Sequence, residues 1–200
     1  PLGGVLLLPY GRLPLNIFEP RYLAMTDDAL ATDRLIGIIQ PATSKAQENE
    51  NPVFKTGCAG RITAFSETED RRYLITLSGL VRFDVAEEIS TSRGYRRVVP
   101  DWTPYKTDYL DKKNFEFNKK RLLIALKRYF EKKAIDADWE TINKMDDVRL
   151  VTTLAMICPF DPPEQQALLM AKDIEERAET IISLLEISTH ETNEVGDARH

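Results

Sequence analysis

Two hundred residues, 42% hydrophobic and 30% charged, have the composition of a globular chain long enough for one sizeable core or two small ones. No apolar run approaches the ~20 residues that a membrane-spanning helix needs, so no membrane role is expected. Cys58 and Cys158 are the only cysteines and lie far apart; a disulfide scaffold is not needed at this size, so a reducing, cytoplasmic compartment is expected. The net charge of −5 is unevenly spread: residues 1–101 hold 12 basic and 13 acidic groups, 102–133 hold 10 and 4, and 134–200 hold 5 and 15. A basic segment beside acidic ones reads first as mutual neutralisation and second as a face for an acidic partner.

In chain order, Val5-Leu6-Leu7-Leu8 predicts a buried strand ending at Pro9. The stretch from Leu13 to Leu23 joins that strand to a helix, with Pro14 and Pro20 fixing φ at two points and Pro20 suited to the first helical turn. Leu23, Ala24, Ala29 and Leu30 fit one helical face, and Asp27, Asp28 and Asp33 the other. Leu15, Ile17 and Phe18 are expected to enter a core at the junction. Leu35 to Ile39 is a second apolar strand stopped by Pro41, and residues 42–52 read as a loop.

From Val53 to Asp101 the pattern is short strands and turns. Cys58–Phe65 is one strand, Glu67–Asp70 a polar turn, Tyr73–Leu77 another strand, and Ser78-Gly79 a second hairpin turn. Val81, Phe83 and Val85 alternate with Arg82, Asp84 and Ala86. Ser92–Gly94 is a turn, and Tyr95–Val99 a last strand. About six strands joined by tight turns are expected to be antiparallel and to close on themselves, which hides their edges.

Pro100 and Pro104 mark a change of period, which places one subdomain at 1–103 and a second at 104–187. Phe115, Leu122, Leu123, Leu126, Tyr129 and Phe130 predict a basic helix from about Asp111 to Lys133. Trp139, Ile142 and Met145 suggest a short helix, and Val148 to Ile157 another, stopped by Pro159. Asp161-Pro162-Pro163-Glu164 is a capping-box variant, and Asp173 is placed to cap a last helix carrying Ile174, Ala178, Ile181 and Leu185. Residues 188–200 form a polar tail. The fold class is α+β: an antiparallel β part with one helix, then a helical bundle of four or five members.

The inventory for chemistry is thin. No glycine pattern forms a phosphate-binding loop and no serine sits in a nucleophile elbow. His190 and His200 are the only histidines, both near the end, which gives no Ser-His or Cys-His pair. Cys58 and Cys158 alone make a poor zinc site, and no metal or cofactor is expected. Carboxylate neighbours such as Asp27-Asp28, Glu87-Glu88 and Asp146-Asp147 point apart on regular elements, so they read as solvated faces or caps. Arg93, Arg96 and Arg97 could hold an anion, although a solvated edge explains them as well. Aromatic residues among the basic ones at 115–130 could serve nucleic acid, but they fall on the stripe that should face a core.

Leu13-Pro14-Leu15-Asn16-Ile17-Phe18-Glu19-Pro20-Arg21-Tyr22 strongly resembles the opening of the Lon protease N-terminal domain. Gly57–Ile62, Ile75–Phe83, Tyr95-Arg96 and Glu164–Leu169 agree with that family in the same order, and the resemblance runs from about Leu2 to Ile187. It implies a PUA-like β pseudo-barrel followed by a helical bundle, and a part in engaging substrate polypeptides, with a separate protease or ATPase as a further partner. The phosphate-binding loop and protease module of the full enzyme are not in this sequence, so the implied role is non-catalytic. The polar tail at Asn193–Asp197 shows no long helix leading onward, which favours a standalone protein. The rim formed by Glu19, Arg21, Tyr22 and Met25 is the candidate peptide-binding surface, and exposed apolar or unfolded segments are its expected ligands. Two alternatives from other classes are a PUA-like nucleic-acid-binding module and a hydrolase with an unrecognised site.

Overall fold

A computed structural model describes residues 1–42, 52–90, 92–109 and 115–190. Its contacts divide the chain into two compact units, Pro1–Asp111 and Lys112–His200. The predicted loop at 42–52 lies almost entirely outside the described residues.

The first unit contains β1 (Arg12–Ile17), α1 (Pro20–Leu30), β2 (Leu35–Ile38), β3 (Thr56–Glu67), β4 (Tyr73–Ile89) and β5 (Arg97–Asp101), followed by a 3-10 segment at Thr103–Tyr109. All pairings are antiparallel, in the order β1-β4-β3-β2, with β5 also on β4. There are five strands rather than six because β4 is a single strand of 17 residues. The hairpin expected at Ser78-Gly79 does not form. The strand runs straight through it, and Leu80 is accommodated by a bulge between the pairs Gly60–Gly79 and Ala59–Val81. One edge of β4 carries β1 along Tyr73–Ser78 and then β5 along Asp84–Ile89.

Gly79 serves a close approach instead of a turn. A Cβ there would stand 1.9 Å from the carbonyl oxygen of Leu8. The Tyr10 amide donates to Gly79 O at 3.1 Å, and the Gly79 amide donates to Gly11 O at 2.9 Å. This crossing also corrects the strand expected at Val5–Pro9. Leu6, Leu7 and Leu8 are buried as the apolar run demands, but their backbone forms no ladder. The segment lies across β4 at the one place where a missing side chain lets a backbone through. The first strand is instead Arg12–Ile17, with Leu13, Leu15 and Ile17 inward and Arg12, Pro14 and Asn16 exposed.

Buried residues of this unit include Leu7, Leu8, Ile17, Ile36, Ile38, Cys58, Ile62, Ile75 and Leu77. A second cluster of Ala59, Val81 and Phe83 is covered by Val85, Val98, Trp102 and Tyr105. Trp102 meets the Phe83 ring edge-on at 5.7 Å, and bare Cα atoms at Gly37 and Gly57 make room for that ring. Two polar clamps hold the 3-10 segment on β4. Buried Arg82 donates through Nη2 to Asp108 Oδ1 at 2.7 Å and through Nε to Oδ2 at 2.9 Å, with its backbone N–H also on Oδ2. Asp84 accepts from Thr56 Oγ1 at 2.7 Å, from the Tyr105 hydroxyl at 2.9 Å and from Lys55 Nζ at 3.1 Å. Partial burial opposes ionisation of Asp84, but those three donors outweigh it and hold its pKa below the usual 3.8.

The second unit holds α2 (Lys119–Lys133), α3 (Trp139–Lys144), α4 (Asp147–Ile157), α5 (Pro162–Met170) and α6 (Ile174–His190). The basic helix begins at Lys119 instead of Asp111. The Asn118 side chain accepts from Arg121 N at 2.9 Å and fixes that start. Ahead of it, Phe115 and Phe117 stack on each other at 5.4 Å. Its far end closes at Ala134 in the left-handed conformation, φ 53°. Asp138, Asp146 and Asp173 cap the starts of α3, α4 and α6. At α5 the Glu164 carboxylate accepts from Asp161 N at 2.8 Å, as the capping motif predicts. α6 continues through residues 188–190, which the sequence assigned to the polar tail; residues 191–200 lie outside the described set. Leu122, Leu126, Tyr129, Leu150, Leu154, Leu168, Ile181, Ile182 and Leu185 fill the core of this unit.

Gly79→Ala should cost about 3 kcal/mol or more in urea unfolding, because the new methyl meets backbone that cannot rotate away. Asp108→Asn leaves the Arg82 cation buried without its counter-charge, and should cost about 3 kcal/mol in the same measurement. Asp84 has a folded pKa below its unfolded one, so its contribution is present above about pH 4 and fades as pH falls through the lowered value. Asp84→Asn should therefore lose about 1–2 kcal/mol near neutrality, with the gap from the parent closing in more acidic buffer.

Candidate functional site

The candidate site lies in the first unit, where the sheet leaves β1 and β2 without a ladder between them. Residues Leu15–Glu19 and Ile36–Ile39 line the same cavity, with Tyr22 and Met25 of α1 above and Ile75 of β4 below. Its volume is about 160 Å³, room for one large apolar side chain, and its walls are mainly hydrocarbon. α1 is laid over this gap by its own start signal. Glu19 is extended, Pro20 opens the helix, and Glu19 O accepts from the amides of Tyr22 and Leu23 at 2.9 Å each. Thr26 and Ala29 are the buried residues of the helix, and the Thr26 hydroxyl is satisfied by Tyr22 O at 2.8 Å.

Three of the four residues predicted from sequence line the cavity: Glu19, Tyr22 and Met25. Arg21 does not. Its Nη2 pairs with Glu19 Oε2 at 2.8 Å, and its guanidinium lies 4.5 Å from the centre of the Tyr22 ring. The Tyr22 hydroxyl donates to Pro1 O at 2.8 Å, and burial, opposed by nearby Arg21, pushes its pKa up, so it stays a protonated donor. The rim is thus a charged pair stacked on an aromatic ring, beside an apolar opening.

Phe18 overturns an expectation. It was placed in the core, yet it is 61% exposed. Residues 13, 15 and 17 take the inward positions of β1, so Phe18 leaves the strand outward and stands at the edge of the cavity. The guanidinium of Arg72 lies 5.7 Å from its ring. Ile36, Ile39 and Ile75 complete the walls; in the sequence they are indistinguishable from any other apolar strand residue.

The other candidates dissolve on inspection of their partners. Arg93 pairs with Asp28, and Arg96 Nε meets Glu88 Oε1 at 2.7 Å, so the turn near Gly94 does not gather cations around an anion. Tyr129 and Phe130 are core residues. Cys158 is buried among apolar atoms, which pushes its thiol pKa up to about 12, and Cys58 is buried as well. Among the described residues no group of three His, Cys, Asp or Glu could hold a metal, and no helix is long and apolar enough to cross a membrane.

The architecture is that of a two-part α+β protein: an antiparallel β pseudo-barrel with an apolar opening under its one helix, followed by a helical bundle. Comparison with known proteins makes the class specific. The family model described as the ATP-dependent protease La (LON) substrate-binding domain matches residues 1–186, and the chain belongs to that family. It is 26% identical over 195 residues to the Lon protease of Parabacteroides distasonis, covering 92% of this chain and 23% of that protein. Against the Lon protease of Escherichia coli K12 the identity is 21%, covering 93% of this chain and 24% of the relative. The chain thus spans about a quarter of the length of these relatives. Among solved structures, the Lon N-terminal domain protein from Xanthomonas campestris superposes with a TM-score of 0.60 at 20% identity, covering 90% of this chain and 93% of that one. The N-terminal domain of the Mycobacterium avium complex Lon protease gives 0.55 at 15% identity, with 92% and 95% covered. These two likenesses show the fold.

Proposed function

We propose that this protein is a non-catalytic, cytoplasmic binding module that takes exposed apolar or unfolded polypeptide segments into the opening between β1, β2 and α1. The reading is carried by one observation: an apolar cavity of about 160 Å³ whose edge holds Phe18 at 61% exposure, beside the stacked Glu19, Arg21 and Tyr22. A large apolar patch left open to water is costly unless a partner covers it. β1 and β2 bracket the cavity without pairing with each other, so an extended segment has strand backbone on either side while one of its side chains enters. The family's own description as a substrate-binding domain points the same way. Segments held here are handed to an ATPase and protease, whether these are parts of a longer chain or a separate protein.

Met25 sits over the cavity, half-buried, so a bulkier side chain there fills the space without entering the sheet. Met25→Trp and Phe18→Ser should each weaken binding of fluorescent unfolded casein about tenfold, with thermal unfolding little changed, as expected when one anchor is lost from an apolar pocket. Unaltered binding in both variants would remove the cavity from the function.

A further inference from the structure

The basic segment singled out by charge becomes α2, and most of its cations are accounted for within the second unit. Lys119 Nζ meets Asp147 Oδ1 at 2.6 Å. Arg121 is gripped by Glu186 at 2.6 Å and Glu179 at 3.5 Å. Lys132 donates to Ser188 O, and Lys133 lies over the Tyr129 ring at 5.9 Å. Lys120, Lys127 and Arg128 are different: all three are exposed, and among the described residues none forms an ion pair. They share one face with Ile124, an isoleucine 45% exposed at mid-helix. A groove of about 310 Å³ runs along this face, with Lys120 and Arg128 near its ends and Ile124 and Ala125 on its floor.

We propose that this groove docks an acidic polypeptide segment of a partner protein, one whose carboxylates bracket an apolar side chain. Charge complementarity selects the sign of the partner, since among the described residues these exposed cations form no ion pair. Lys120 and Arg128 are eight positions apart, about 12 Å along a helix axis. That span matches carboxylates two helical turns apart, or about four residues apart on an extended chain. The apolar side chain between them covers Ile124, and the lysine and arginine stems add hydrocarbon to the contact. A nucleic-acid backbone fits less well: the groove also contains the carboxylate of Glu186, and Tyr129 and Phe130 are buried rather than offered for stacking. This site is separate from the cavity of the first unit and does not depend on the reading given to that cavity.

The test uses the full chain and a fluorescent peptide repeating Glu-Ser-Leu-Ser, which on an extended chain sets leucine between glutamates on one face, followed by anisotropy. The peptide should bind, and Lys120→Gln with Arg128→Gln should weaken it about tenfold, as should Ile124→Ser, while helix content by circular dichroism stays the same. Met25→Trp should leave this binding unchanged. The proposal fails if the charge variant binds as the parent does, or if the peptide does not bind. It also fails if Ile124→Ser has no effect while oligothymidylate competes equally, which would mark an unselective polyanion surface. Loss of binding in Met25→Trp would move the peptide to the other cavity and overturn the assignment.

Discussion

The close passage of Leu8 over Gly79 governs the geometry of the first unit. A backbone carbonyl occupies the place where a side chain would stand, so the Leu8 backbone can lie over β4 without breaking it. Because it is not broken, one strand of 17 residues carries β3 on one edge and both β1 and β5 on the other. The buried run Leu6–Leu8 then adds three leucines to the core without pairing as a strand. A methyl group at this point would separate the crossing segment from the strand that everything else is paired to.

The same economy explains the polar residues inside the β unit. Arg82 and Asp84 belong to β4, and both reach out of the sheet to hold the 3-10 segment, one through Asp108 and one through Tyr105. A buried guanidinium bound by a two-pronged carboxylate gives little net stability but strong register, since any slip leaves a charge without a partner. These clamps, and the Trp102 ring on Phe83, tie the end of the β unit to its central strand.

The proposed binding role rests on what the sheet leaves undone. β1 and β2 end the sheet order without pairing, α1 lies over the gap, and the space beneath stays open and apolar. The match to the Lon substrate-binding domain family gives that opening a context, and the aromatic and charged rim gives it an edge at which a chain could be held. On the second unit the equivalent residue of unsatisfied surface is electrostatic: three cations and an isoleucine on the outer face of α2.

Much of this was legible in the residues. An apolar run located β2, and period-two and period-3.6 patterns located β3, the two ends of β4 and the helices of the bundle, because each pattern reports a local geometry that burial then rewards. Caps at Asp161 and Asp173, and the proline start of α1, were readable for the same reason: they act over one helical turn. Of the four residues the sequence offered as a rim, Glu19, Arg21 and Tyr22 stand in one contiguous motif and Met25 lies just beyond it; all but Arg21 line the cavity. Only the tertiary structure decided that Gly79 admits a crossing instead of making a turn, that Leu6–Leu8 is buried without pairing, and that Phe18 faces water. It alone also brought Ile36, Ile39 and Ile75 to one cavity. Each of these depends on a second segment, distant in sequence, arriving at a particular point; local pattern records which residues seek burial, not which neighbour will bury them or leave them exposed.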